Sequence, residues 1–191
     1  SDVSQVIPKR TWTTGTTYDM YEHNVSASNA AASGATNLFD ASFYVINSSN
    51  AVYKCIENDG ATASTSEPTS TSTSIFSTAD GYRWKYMYSL STTQVTNFVS
   101  TDFMPVSTNS TVSSAAVDGA LDTVLIAAGG SSYDVSGGAT AGTITAVPIR
   151  GDGSGGVASV TLSSGTVSAV TITTAGTAVS YTHLRAHETE S

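Results

Sequence analysis

Alternating apolar and polar positions dominate the chain and predict strands. Runs at 43–46, 52–56 and 82–90 are rich in aromatic and β-branched residues, the composition of half-buried strands. In DGYRWKYMY, residues 80–88, an extended backbone sets Tyr82, Trp84, Tyr86 and Tyr88 on one face and Arg83, Lys85 and Met87 on the other. A continuous aromatic row is expected there. Asn58-Asp59-Gly60 predicts a turn, and the hydroxyl-rich stretch 62–78 predicts an exposed loop. Only 92–99, with Val95, Phe98 and Val99 at helical spacing, predicts a helix, and a short one.

Past Pro105 the pattern changes to short strands punctuated by glycine. The alternating runs are 143–149, 157–162 and 167–173; Ser163-Ser164-Gly165 predicts a hairpin between the last two, and Pro148 predicts an edge position for the first. Val124, Ile126 and Gly130 recur 46 residues later as Val170, Ile172 and Gly176, with Ser131 matched by Thr177, which suggests a repeated β-motif. Fourteen of sixteen aromatic residues lie at or before Phe103, and twelve of sixteen glycines lie after it. Two units follow: an aromatic-rich, β-sandwich-like domain at 1–106 and a small Gly/Ser/Thr-rich antiparallel β unit at 107–178, with 179–191 apart from both. The expected class is all-β with at most one short helix.

Composition sharpens this picture. With 31 Ser, 30 Thr, 12% charged residues and 26 Val plus Ile against 6 Leu, a helix bundle is excluded. Leu, Ile, Val and Phe make up 37 of 191 residues, so a thin core is expected. Fifteen acidic against seven scattered basic residues give a net charge of −8, which offers no footprint for phosphate backbones; nucleic acid is not an expected partner. The single cysteine, Cys55, excludes an intrachain disulfide framework. No apolar stretch reaches membrane-span length and no leader pattern opens the chain, so synthesis and use without export are expected, with no membrane partner.

Candidate chemistry is sparse. His183 and His187, spaced i and i+4 beside Glu188, imitate a helical metal site, but they fall in VSYTHLRAHET, 179–189, which resembles a translated sequencing adapter. Val179 also stands where the echo calls for a counterpart of Tyr133. The native chain is therefore expected to be interrupted near Ala178, and Ser1 to mark a second cut. Outside the tail the one histidine is His23. GDGSGG, 151–156, is similar to a serine-nucleophile signature and to a calcium-binding glycine-aspartate repeat, yet it has an extra glycine and occurs once; it reads as a glycine-rich turn. Asp118 with Asp122 and Glu57 with Asp59 read as surface charges, and the sequons at Asn24, Asn47 and Asn109 as chance in so hydroxyl-rich a chain. No catalytic, cofactor or metal residues are assigned, and no enzyme is expected. The aromatic row admits three uses: core, protein interface or sugar stacking. Trp12, Tyr18, Tyr21, Tyr82, Trp84, Tyr86 and Tyr88 are the candidate interface residues.

A family resemblance rests on motifs in order: VIPKRTW (6–12), GTTYDMY (15–21), FYV (43–45), VYKCIEN (52–58), DGYRWKYMY (80–88) and FMPV (103–106). Residues 3–106 resemble the baseplate wedge subunit, gene product eight type, of T-even-like contractile-tailed bacteriophages, chiefly through VYKCIEN and DGYRWKYMY. The resemblance implies a non-enzymatic virion protein of β-sandwich domains, made in the host cytoplasm and built into the tail baseplate, which forms a homodimer and joins other baseplate wedge proteins. It also implies missing segments before Ser1 and beyond Ala178. The second unit departs from that family and resembles the glycine-tyrosine β-repeats of marine phage structural proteins. A glycan-binding β-module of a tail fibre or adhesin is the alternative, and a hydrolase acting through Ser154 ranks third.

Overall fold

The computed structural model describes residues 3–117, 119–151 and 153–177; the tail with His183, His187 and Val179 lies outside them, as does Asp118. The class is all-β, with three antiparallel sheets. The chain divides into compact units between Ala116 and Val117.

In the first unit, β1 (Val6–Pro8) pairs with β6 (Phe103–Pro105), and β2 (Tyr44–Ile46), β3 (Ala51–Glu57), β4 (Phe76–Ser77) and β5 (Arg83–Ser89) form a sheet ordered β2-β3-β5-β4. The β2–β3 turn closes on Asn47, whose side-chain oxygen accepts from Ser49 N and Ala51 N at 3.0 and 2.9 Å. Asn50 supplies the positive φ of 60° that this turn requires, a conformation asparagine tolerates better than most residues. The Asn58-Asp59-Gly60 turn forms as expected, with Asn58 reaching from it to Ala61 N and to Tyr18 O.

The β3–β5 ladder carries the main departure from the sequence pattern. Val52 pairs with Tyr88 but Tyr53 pairs with Tyr86, so Met87 is the extra residue of a β-bulge. The period-2 alternation resets at this point. Tyr82, Trp84 and Tyr86 join Tyr53, Cys55, Val45 and Tyr18 in one core cluster, while Tyr88 joins Val52, Ile46, Leu90 and Met104 in another, with Met87 packed against it. The predicted row of four is thus corrected to three plus one. The second cluster is covered by Ile7 and Met104 of the β1–β6 ribbon, by Val95 of α1 (Thr92–Phe98) and by Val99, which caps that helix. That helix is the expected one, opened by a capping box between Ser91 and Gln94. A second helix, α2 (Ser110–Ser114), was not signalled by apolar spacing; Asn109 caps it, accepting from Thr111 N and Val112 N. Its Val112 packs against the aromatic cluster, which extends the first unit past the compositional break near Pro105.

The exposed-loop reading of 62–78 needs correction as well. Ser64 and Pro68 are fully buried, Asn47 Nδ2 donates to Pro68 O at 2.9 Å, and the loop ends in β4. Side-chain polar groups hold it down where hydrophobic patterning gave no sign of burial.

In the second unit, β7 (Gly142–Pro148), β8 (Ser154–Ser163) and β9 (Thr166–Thr177) form one sheet ordered β7-β8-β9. Ser163 pairs with Thr166 around Ser164 and Gly165, both at positive φ (51° and 74°), the signature of a two-residue hairpin turn. Pro148 closes the edge strand β7, as predicted. Ala158 and Leu162 are the buried hydrophobic residues described in this unit, a thin core indeed. The repeated β-motif is corrected: 170–176 lies in β9, whereas 124–130 forms no strand. No helix among the described residues is long and apolar enough to cross a membrane.

Candidate functional site

The aromatic residues proposed as contact surface are mostly structural. Tyr82 stacks on Trp84 at 5.5 Å between ring centroids, and Tyr18 meets Trp84 edge-on at 6.0 Å. Tyr18, Tyr82, Trp84, Tyr86 and Tyr88 are all buried, so as residues presented to a partner they are corrected to core residues. Their polar tips are mostly satisfied internally. Tyr82 Oη accepts from Tyr18 N at 3.2 Å and donates to Thr62 O, Tyr88 Oη donates to Pro105 O at 3.1 Å, and Tyr86 Oη shares a hydrogen bond of 2.9 Å with Ser89 Oγ. Burial raises the pKa of Tyr18 and Tyr82 and pushes that of Tyr88 up to about 12. Trp12 is half-buried, its indole N–H donating to Ser64 Oγ at 3.1 Å.

Tyr21 is the one of the seven that stays open, at 40% exposure. Phe43 lies edge-on to it at 5.3 Å, and Lys54 Nζ sits 3.3 Å above its ring centroid. Lys54 pairs across the sheet with Lys85, and Arg83 lies on the same strand as Lys85, so the basic residues are less scattered than their sequence positions imply. Each is engaged: burial lowers the Lys54 pKa, Lys85 Nζ donates to Thr73 O, and Arg83 lies 3.9 Å from Glu57.

A second exposed feature escaped the sequence reading. Leu38 and Phe39 project from a turn, with Phe39 67% exposed. The turn is locked by Asn37, whose amide donates to Asp40 Oδ2 at 2.8 Å and whose side-chain oxygen accepts from Asp40 N at 3.1 Å. Both flanks of the loop converge on Asp19, which is 1% exposed. Its carboxylate accepts from Ser33 N and Oγ at 2.7 and 2.6 Å and from Ser42 N and Oγ at 2.7 and 3.1 Å. Burial alone would raise the Asp19 pKa, but these bonds outweigh it and the pKa is lowered. The result is an apolar tip on a braced loop. Its sequence signal was Asn37 three residues before Asp40 with an apolar pair between them.

No family model, curated protein or solved structure matches the chain.

The remaining candidates stay apart. Cys55 is fully buried and its thiol pKa is pushed up, chiefly by burial. His23 is exposed. Of the sequons, Asn47 is buried within the β2–β3 turn and Asn109 caps α2. Beside Ser154, a cavity of about 350 Å³ is lined by Pro148, Ile149, Arg150, Val157 and glycine backbone, with neither histidine nor carboxylate among its described residues. Among the described residues no three His, Cys, Asp or Glu side chains gather as a metal site.

Proposed function

We propose that this chain is a structural part of a phage tail baseplate wedge, acting in virion assembly through protein–protein contacts. The observation that carries this reading is the Leu38–Phe39 tip. A large apolar side chain 67% exposed on a loop braced at both flanks by a buried carboxylate is a preorganised contact, since little loop entropy remains to be lost on binding. Tyr21 adds an amphipathic ring of the kind favoured at interfaces. The motif resemblance supports the same reading. VYKCIEN spans most of β3, DGYRWKYMY most of β5, and these are neighbouring strands of the first unit's sheet. The partners are other wedge proteins and a second copy of the chain, and the location is the virion tail. The glycan-binding alternative loses the side chains that motivated it, because Trp84 and its tyrosine neighbours are buried and present no ring face to a sugar.

Co-purification of the chain with the other wedge proteins of its source phage tests the proposal. The unaltered chain is expected to be retained, and Phe39→Asp to lose at least about tenfold in retention while keeping its melting temperature, as truncation of an anchor residue does. Undiminished retention of the variant, or absence of the chain's peptides from purified tails, would overturn it.

A further inference from the structure

The outer edge of β9 is touched by residues 121–129 at two points. Leu121 N donates to Ala175 O at 2.8 Å, and Val167 N donates to Gly129 O at 2.9 Å. Eight residue steps separate Leu121 from Gly129, and eight separate Val167 from Ala175, so both bonds fit one antiparallel count in which any extra residue of β9 is matched by one in the facing segment. That register sets Val124 opposite Ile172 and Ile126 opposite Val170. All four belong to the internal echo, in which Val124 matches Val170 and Ile126 matches Ile172. Between the two fixed points, among the described residues, no backbone hydrogen bond joins 124–128 to 168–174, and Leu125 and Ile126 are 45% and 37% exposed.

The edge facing this segment has groups to offer. Ile149 N donates to Gly156 O, so at Gly156 the β8 backbone points toward β7. Backbone groups alternate in direction along a strand, which directs those of Ala158 and Val160 toward β7 and those of Ser159 and Thr161 toward β9. Ser159 pairs with Thr171 and Thr161 with Ala169. Val170 and Ile172 therefore turn their N–H and C=O groups outward, toward Ile126 and Val124. Side chains agree with this placement, because Val170 pairs with Val160 and Val160 with Ile144. Ile126 would continue that β-branched row across a fourth strand. β9 carries bulges at Ser168 and Thr173, between these inner pairs and the outer contacts. A straight strand cannot follow such an edge, so the segment must bulge in step with it to close.

We propose that residues 124–127 are a strap that closes on β9 as the fourth strand of the second unit's sheet, pairing Val124 with Ile172 and Ile126 with Val170. The occupant is this chain's own segment, since its two ends already hold the register. Closure hides an edge that would otherwise accept an extended strand from another chain. Amide hydrogen exchange of the full chain, read by NMR at Val170 and Ile172, tests this without a variant. Protection at least about tenfold above an unpaired amide, independent of protein concentration, is the expected result. Ile126→Pro should abolish it at Val170 while Ser159 stays protected. Unprotected amides at both positions would overturn the proposal, and so would protection that grows with concentration, which would mean that a second copy supplies the strand.

Discussion

Asp80 accepts a hydrogen bond from the Ser64 hydroxyl at 2.8 Å, and Ser64 in turn accepts from the Trp12 indole at 3.1 Å. The same carboxylate takes Thr65 N and Ser66 N at 2.7 and 2.9 Å, so a single acidic side chain fastens the serine-threonine loop to the aromatic core. Burial opposes ionisation of Asp80, but the bonds from Thr78, Ser66, Ser64 and Thr65 prevail and bring its pKa down to about 2. Asp19 is shifted in the same direction. A carboxylate whose folded pKa is depressed contributes stability that is fully present above its unfolded value near 4 and is lost as pH falls toward 2. Melting temperature measured from pH 6 down to pH 2 is expected to fall mainly below pH 4. Asp80→Ala should flatten that fall and cost about 1–2 kcal/mol at pH 7, allowing for solvent screening of a partly exposed group. An unchanged acid profile in this variant would contradict the clamp.

Two tyrosines in the same core should respond oppositely to loss of their hydroxyls. Tyr53 Oη is buried without a hydrogen-bond partner among the described residues, whereas Tyr82 Oη joins Tyr18 N and Thr62 O. An unsatisfied buried hydroxyl costs desolvation that phenylalanine does not incur. Tyr53→Phe is expected to be neutral or to stabilise by up to about 1 kcal/mol, and Tyr82→Phe to destabilise by about 1–2 kcal/mol. Denaturant titration of both variants gives the comparison, and equal losses would show that Tyr53 is bonded in solution.

Strands β2, β3, β5, β7, β8 and β9, the hairpin at Ser164-Gly165, the edge position of Pro148 and the helix at 92–99 were legible because side-chain periodicity and turn chemistry are local properties, whereas the short β1, β4 and β6 carry too few residues to show a period. The fate of Tyr88 was not, because a bulge depends on how β5 meets β3, and Met87 has no composition that marks it as the extra residue. The long-range anchoring by Asp19, Asn47, Asn58 and Asp80 was not legible for a related reason: each binds backbone or hydroxyl groups distant in sequence, and apolar patterning is blind to polar burial. The exposed tip was hidden too, since Leu38 and Phe39 resemble core residues until their exposure is known.

Cys55 should be chemically silent in the folded chain. The thiolate is the reactive form, and this thiol is fully buried with its pKa pushed up, first by burial and then by the nearby charge of Asp19. A disulfide reagent at pH 8 is expected to modify it at a rate set by unfolding, and to react completely only in denaturant. Rapid stoichiometric labelling of native protein would place the sulfur at the surface and contradict the packing of β3.

Gly165 carries the hairpin that organises the second unit, and its replacement should expose how little else holds that unit together. Its φ of 74° favours glycine, and a Cβ there would lie 3.3 Å from Tyr133 O, a backbone atom with limited freedom to retreat. Ser164, also at positive φ, is the better site for relief, because asparagine tolerates that conformation more readily than serine. Gly165→Val is expected to destabilise the second unit by about 2 kcal/mol or more, and Ser164→Asn to stabilise it by a few tenths of a kcal/mol. The first unit has its own aromatic core, so its near-ultraviolet circular dichroism should survive Gly165→Val while amides of β8 and β9 lose exchange protection. Loss of both signals together would mean that the two units unfold as one.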